Sequence, residues 1–240
     1  MKWITVNACP LCGQSMAIPY GQGHAPLIFI DDVFGGAPLT VVTTYFTCPD
    51  CGLIYQNPRL DDDSVNEYYS SGLYRASLGR NPDELDASEK RTAPRIAEYV
   101  EPNTTHLDIG CSRGYLLAET RDKKGCKPFG IEANPAWVTE SVPNSQDLFR
   151  ITGQWQTITC IHVLEHMTDP VKAARKMIEL LAPGGRLIVE VPSDQSPGGP
   201  LRLAHLFHFQ PWVMRRLFAD LILEKFELTP HNLFVFKAQP

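Results

Sequence analysis

From His106 onward, short apolar runs alternate with longer mixed stretches, the pattern of an α/β domain. The runs HLDIG, PFGIEA, TITCIHVL, RLIVEV and NLFVFKA predict strands, each short and apolar for most of its length. YLLAETRDKKG, PVKAARKMIELLAPGG and QPWVMRRLFADLI predict helices, the second stopping at Pro183-Gly184-Gly185. The first part of the chain reads differently. Two β-rich runs flank Gly35-Gly36 in APLIFIDDVFGGAPLTVVTTYFT and predict a hairpin. GLIYQNPRLDDD then predicts a strand, a turn at Asn57-Pro58 and a helix start at Asp61 to Asp63, where acidic side chains complement the helix dipole. Residues 76–88 are polar and read as a mobile connector; SEKRTAPRIAEYV reads as a helix leading into the α/β part despite Pro94. The expected organisation is a β-rich unit over 1–58, a helical and loop connector over 59–93, and the α/β domain over 94–240.

The cysteines sharpen the first unit. Cys9 and Cys12 lie in CPLCG, Cys48 and Cys51 in CPDCG, giving two C-x2-C knuckles. Each puts two sulfurs on a tight turn, and four thiolates complete the tetrahedral shell that structural zinc prefers. Two disulfides or an iron centre are the alternatives, and cytosolic surroundings and knuckle chemistry weigh against both. With all four positions filled by protein, the metal would be structural. A ribbon of about 55 residues is too small to be stable alone, so the metal would supply folding energy. Cys111, Cys126 and Cys160 fall in apolar contexts and read as small buried hydrophobes.

Composition narrows the partners. A formal charge of -5 gives no electrostatic footprint for nucleic acid, which argues against RNA as partner. Arg202, Arg215, Arg216 and Lys225 form either a local basic patch or solvated helix faces. The apolar stretch in MKWITVNACP is too short for a secretory signal, and no run approaches a membrane span. The expected location is the cytoplasm, with no membrane partner.

HLDIGCSRGYLL reads as strand, tight turn, helix, a layout that aims backbone N–H groups and a helix N-terminus at a ligand. Gly110 permits the turn and Gly114 the close approach of strand and helix. Glu132 ends the next apolar strand, about 20 residues on, where a carboxylate can accept hydrogen bonds from both ribose hydroxyls. Glu132 is otherwise a surface carboxylate in a βα turn. Dinucleotide enzymes share this loop-plus-acid logic, so these residues alone leave the cofactor open.

The ordered set LDIGCSRGYLL, GIEANP, CIHVLEHMTDP and LLAPGGRLIVEVPS resembles the class I S-adenosylmethionine-dependent methyltransferases over roughly residues 94–240. The knuckles with GLIYQNPR and YYSSGLYR are similar to the zinc-bearing N-terminal segments of methyltransferases in sugar and natural-product pathways. The resemblance implies a Rossmann-like seven-stranded sheet with a reversed last hairpin, beside a small zinc-binding β-rich domain. It implies that Asp108, Gly110, Cys111, Ser112 and Gly114 line the methionine part of S-adenosylmethionine, that Glu132 and Ala133 meet its ribose side, and that His162 adjoins the site. Asn134 and the backbone around Asp147 and Leu148 are candidates for the adenine end.

The sequence departs from that pattern twice. Ser112 replaces a loop glycine, tolerable unless φ there is positive, and its hydroxyl can donate to the cofactor carboxylate. Between Glu132 and TITC the chain is short, which leaves a thin adenine wall or one rebuilt from Trp137 or Trp155.

Ligands in open α/β sheets sit beyond the carboxyl ends of the strands. TCIHVLEHM puts His162, Glu165 and His166 at that edge. His166 is the first choice for a base that deprotonates the acceptor, with Glu165 as partner or alternative; an EH pair can instead close the turn or shape the cofactor site. Some family members hold a divalent ion here, but His162 stands where those carry glutamate. His205 and His208 follow SDQSPGGP, a flexible segment placed to cap the acceptor pocket, and His208 is a further catalytic candidate. Tyr68, Tyr69 and Tyr74 either close over the cofactor or pack between domains. The expected function is methyl transfer from S-adenosylmethionine to a small polar acceptor such as a nucleotide-linked sugar or natural-product intermediate. An RNA methyltransferase that reads its substrate through the ribbon is one alternative; a catalytically silent scaffold whose ribbon binds a protein partner is another.

Overall fold

The computed structural model describes residues 1–27, 39–71, 74, 82–196 and 201–240. The turn at Gly35-Gly36 and the end of SDQSPGGP lie outside the described residues.

The N-terminal part is built from β1 (Trp3–Ile4), β2 (Ile18–Leu27), β3 (Leu39–Thr47), β4 (Ile54–Gln56) and β5 (Arg59–Leu60). β2 and β3 pair antiparallel from Ile18↔Thr47 to Leu27↔Leu39, so the hairpin arm begins well before the apolar run that announces it. After a cis Asn57–Pro58 bond, α1 (Asp62–Ser70) starts at Asp61, whose side chain accepts from the Ser64 N–H. α2 (Pro82–Ala97) contains Pro94 and begins earlier than the sequence reading, so residues 82–88 are helix rather than connector. Pro82 sets the helical φ at the first position, and Asp83 and Glu84 complement the dipole.

The main sheet has seven strands: β6 (Thr105–Ile109), β7 (Lys127–Ile131), β8 (Asn144–Ser145), β9 (Trp155–Ile161), β10 (Leu181–Pro192), β12 (Ile222–Thr229) and β13 (His231–Lys237), in the order β12-β13-β10-β9-β6-β7-β8. β8, β7, β6, β9 and β10 are mutually parallel, and β13 runs antiparallel between β10 and β12. This is the Rossmann-like sheet with a reversed last hairpin. α3 (Tyr115–Lys124) ends on Gly125 at φ 67°, and α4 (Pro170–Leu180) is capped by Asp169. α4 stops at Leu180 with an extended Leu181, ahead of the glycines. Gly184, at φ 70°, lies instead within the register shift of β10 between Leu181 and Arg186.

The fully buried His106 in β6 donates to or accepts from Thr120 and Thr159, each at 2.9 Å. Burial pushes it down to about 3, so it stays a neutral core residue.

The N-terminal part is welded to the α/β part. β11 (Phe207–His208) pairs with β4 and completes a four-stranded sheet in the order β11-β4-β3-β2. Tyr45 Oη lies 2.7 Å from the His205 carbonyl, and the Gln56 N–H donates to Leu206 O at 2.9 Å. Trp212, on α5 (Pro211–Leu217), lies over Gly52, where any side chain would collide with the indole. One core runs from Leu53 and Tyr55 through Phe207 and Phe209 to Leu187 and Val189.

Candidate functional site

The loop after β6 is strained where the sequence places its serine. Gly110 and Gly114 adopt φ 76° and 89°, and a Cβ at Gly110 would strike Val163. Ser112 sits at φ 50°, the left-handed region that favours glycine. Its hydroxyl is committed to Glu89 of α2, 3.0 Å from each carboxylate oxygen, rather than held out for a cofactor carboxylate. Asp86, one turn earlier, accepts from Tyr115 Oη at 2.5 Å and pairs with Arg113 at 3.1 Å. α2 therefore clasps the loop through two carboxylates that no sequence motif announced.

Asp108 is buried at the end of β6 and accepts from Thr159 Oγ1 at 2.6 Å. Burial pushes its carboxyl up to about 7, with Glu132 adding repulsion. Glu132 is buried at the end of β7 and accepts from Ser112 N–H at 2.9 Å and Asn134 N–H at 3.0 Å. Cys111 turns its sulfur against Gly130, so only its backbone borders the loop; burial raises its thiol. Ala133 is exposed beside Glu132, and its carbonyl lies 3.4 Å from Gln146 Nε2.

The short stretch after Glu132 folds as a 3-10 turn at Pro135–Trp137, the two-residue β8 and a second turn at Leu148–Arg150. Asp147 spends one oxygen capping that turn, at 2.8 Å from Phe149 N. Trp155 is not available to the adenine end. It opens β9, at the opposite end of the strand from His162, and packs on Phe129 with ring centroids 5.8 Å apart.

Glu165 and His166 lie in a 3-10 turn, Leu164–His166, beyond β9. His162, at φ 55°, reaches between Glu165 at 3.6 Å and Glu190 at 3.1 Å. Burial opposes its charge, but hydrogen bonds to those two carboxylates push it up to about 9. Glu190 also takes both guanidinium nitrogens of Arg95 at 2.8 Å; against burial, His162 and Arg95 hold it at about 2. Glu165 is likewise held at about 2 against burial, by its neighbours His166, His162 and His205. Burial keeps His166 below its usual range. His205 joins them: its ring centroid is 4.9 Å from that of His166.

The tyrosines gather around His166. Tyr69 and Tyr74 rings lie 5.3 and 5.4 Å from His166, and Tyr68 packs behind them. His208 Nε2 is 2.9 Å from Asp194 Oδ1, while its buried Nδ1 has no partner. Sequence reasoning missed Glu89, Arg95, Asp194 and Glu190. Glu190 alone carried a signal, as a charge inside the apolar run RLIVEV.

The four knuckle sulfurs lie within 4.8 Å of one another, with Cys9–Cys51 and Cys12–Cys48 both at 3.5 Å. All four cysteines are free thiols. Tetrahedral zinc with bonds of about 2.3 Å sets sulfurs about 3.8 Å apart, so the cluster fits that metal.

The sheet order and the carboxylates along its carboxyl edge define a methyltransferase-type α/β fold. A family model described as a methyltransferase domain matches residues 81–228, more than half of the chain, and the chain belongs to that family. Among curated relatives, the ubiquinone biosynthesis O-methyltransferase of Xanthomonas oryzae pv. oryzae is 32% identical over 98 residues, 35% of this chain and 41% of the relative. The Erwinia tasmaniensis protein of the same name is 24% identical over 147 residues, 54% of each chain. The chain thus spans about half or less of these relatives. Two solved structures are similar in fold. Burkholderia thailandensis 1,6-didemethyltoxoflavin-N1-methyltransferase, bound to S-adenosylhomocysteine, has a TM-score of 0.59 at 15% identity, covering 80% of this chain and 98% of that one. Magnesium protoporphyrin IX methyltransferase of Synechocystis, with bound S-adenosylmethionine, has a TM-score of 0.57 at 14% identity, covering 76% and 100%.

Proposed function

We propose that this chain methylates a small polar acceptor from S-adenosylmethionine, with His166 taking the acceptor's proton. The observation that carries the reading is the buried Glu132 carboxylate, held by two N–H groups at the carboxyl edge of the sheet beside the β6–α3 loop. The residues fit the cofactor. Asp108 and the loop backbone suit its methionine end, Glu132 its ribose, and the Asp147–Leu148 turn its adenine.

When bound, S-adenosylmethionine supplies an electrophilic methyl: the acceptor's oxygen or nitrogen bonds to that carbon while the carbon–sulfur electron pair leaves to sulfur. Glu165 and His166 offer two buried acceptor atoms to an incoming O–H or N–H, with Glu165 Oε1 and His166 Nε2 3.7 Å apart. The depressed basicity of His166 keeps it neutral and ready to accept at neutral pH. Tyr69 and Tyr74 pack against His166 at this end, and the charge of -5 favours a small molecule over RNA.

Calorimetric titration of the full chain with S-adenosylmethionine tests the first step, and absence of binding by folded protein overturns the reading. Turnover on nucleotide-linked sugars or phenols, abolished by His166→Gln, tests the second.

A further inference from the structure

Three segments distant in the chain converge on one ring nitrogen. Tyr69 Oη, from α1, lies 2.7 Å from His166 Nδ1. The Ala204 carbonyl lies 2.7 Å from the same nitrogen, and hydroxyl and carbonyl are 3.1 Å apart. The hydrogens follow from what each group can do. A carbonyl oxygen only accepts, so a bare Nδ1 would set two lone pairs against each other at hydrogen-bond distance. Nδ1 therefore carries the hydrogen. The Tyr69 hydroxyl gives its own proton to the Ala204 carbonyl and offers its lone pair to Nδ1–H. Burial, with Tyr74, Tyr68 and Glu165 adding repulsion, raises the Tyr69 phenol well above its usual range, so it keeps that proton. A neutral imidazole has one N–H, which leaves the lone pair on Nε2, the nitrogen nearer Glu165.

We propose that Tyr69 is a positioning residue for His166: with the Ala204 carbonyl it holds Nδ1–H, makes Nε2 the base atom, and supports the imidazolium formed when a proton arrives. The proposal rests on the base reading above. It also gives the connector helix α1 a role in the chemistry. The groups facing His166 are Glu165 and His162 from its own turn, His205 and Arg202 from the 201–206 segment, and Tyr69 and Tyr74 from the connector.

The test needs no acceptor. Long-range proton–nitrogen spectra of the full chain with 15N-labelled histidine, assigned by His166→Gln, read the tautomer directly. The expected result is a protonated Nδ1 and a bare Nε2. Tyr69→Phe removes one acceptor from Nδ1–H, and the His166 pKa is expected to fall by about 0.5–1 unit. A bare Nδ1 in the parent protein overturns the proposal, even if the variant fails to fold. So does a folded Tyr69→Phe protein whose His166 titration is unchanged. Retained turnover in His166→Gln would instead defeat the base reading, so the two failures are separable.

Discussion

Ser112 and Glu89 are joined by a hydroxyl that lies 3.0 Å from both carboxylate oxygens, tying α2 to the loop between β6 and α3. The serine stands at φ 50°, where a side chain costs about 1–2 kcal/mol. A hydrogen bond to a charged acceptor returns about 1.5–3 kcal/mol. The strained residue is thus retained by its partner.

Ser112→Gly removes the strain and the bond together, so its stability is expected within about 1 kcal/mol of the parent. Ser112→Val keeps the strain and loses the bond, and is expected to cost about 2–3 kcal/mol. Urea midpoints decide between them. A Ser112→Val midpoint equal to the parent's would mean that the Glu89 contact contributes nothing.

Glu132 is a fixed acceptor, with Ser112 N–H at 2.9 Å and Asn134 N–H at 3.0 Å. Glu132→Gln turns one oxygen into a donor facing those N–H groups and weakens the acceptor offered to a ribose. S-adenosylhomocysteine affinity is expected to fall about 10- to 100-fold, or about 1.4–2.8 kcal/mol. Calorimetry on a variant shown to be folded checks this, and unchanged affinity would move the ribose contact elsewhere.

The sequence made legible what local pattern controls. Alternating apolar runs marked β6, β7, β9, β10 and β13 of the main sheet, and the knuckle spacing marked the cysteine cluster. Asp61 announced the start of α1. What stayed hidden was set by partners far along the chain. Glu89 lies in a polar stretch and meets Ser112 only after folding. Arg95 finds Glu190, and Tyr69 finds His166, across 95 and 97 positions. The φ of Ser112 follows from the loop's path between β6 and α3, which composition does not encode. β12 as a whole was missed, because LILEKFELT follows a helical pattern without a breaker.

The Arg95–Glu190–His162 chain makes stability depend on pH at both ends. His162 is raised to about 9, so its contribution is complete below its unfolded value near 6.5 and is lost as pH rises through 9. Glu190 is depressed to about 2, so its contribution is present above its unfolded value near 4.3 and is lost as pH falls towards 2. Urea midpoints are expected to decline between pH 7 and about pH 9.5, and His162→Gln to flatten that decline. Arg95→Met strands a buried carboxylate. Because Arg95 is 38% exposed, about 2–3 kcal/mol is expected rather than the full penalty for breaking a buried pair. A variant as stable as the parent would show that His162 alone compensates Glu190.

The cysteine cluster is joined to the α/β part through the β4–β11 pair, and its loss should separate two functions. Metal analysis of protein purified without added metal is expected to find close to one zinc per chain, held by Cys9, Cys12, Cys48 and Cys51. Two disulfides would instead give no zinc and a mass shift on reduction. Chelation under reducing conditions removes the cross-link that shapes both knuckles. β4 follows the second knuckle directly and pairs with β11, which carries His208, while Trp212 rests on Gly52. Loosening the ribbon therefore disturbs His208 and the 202–206 segment that holds His166 through Ala204. The loop after β6 and Glu132 lie across the sheet, on β6 and β7, and have no ribbon partner among the hydrogen bonds described. Chelated protein is expected to keep its S-adenosylhomocysteine affinity within about threefold, under 1 kcal/mol, and to lose turnover. Cofactor affinity that collapses with the zinc would show instead that ribbon and cofactor loop fold as one unit.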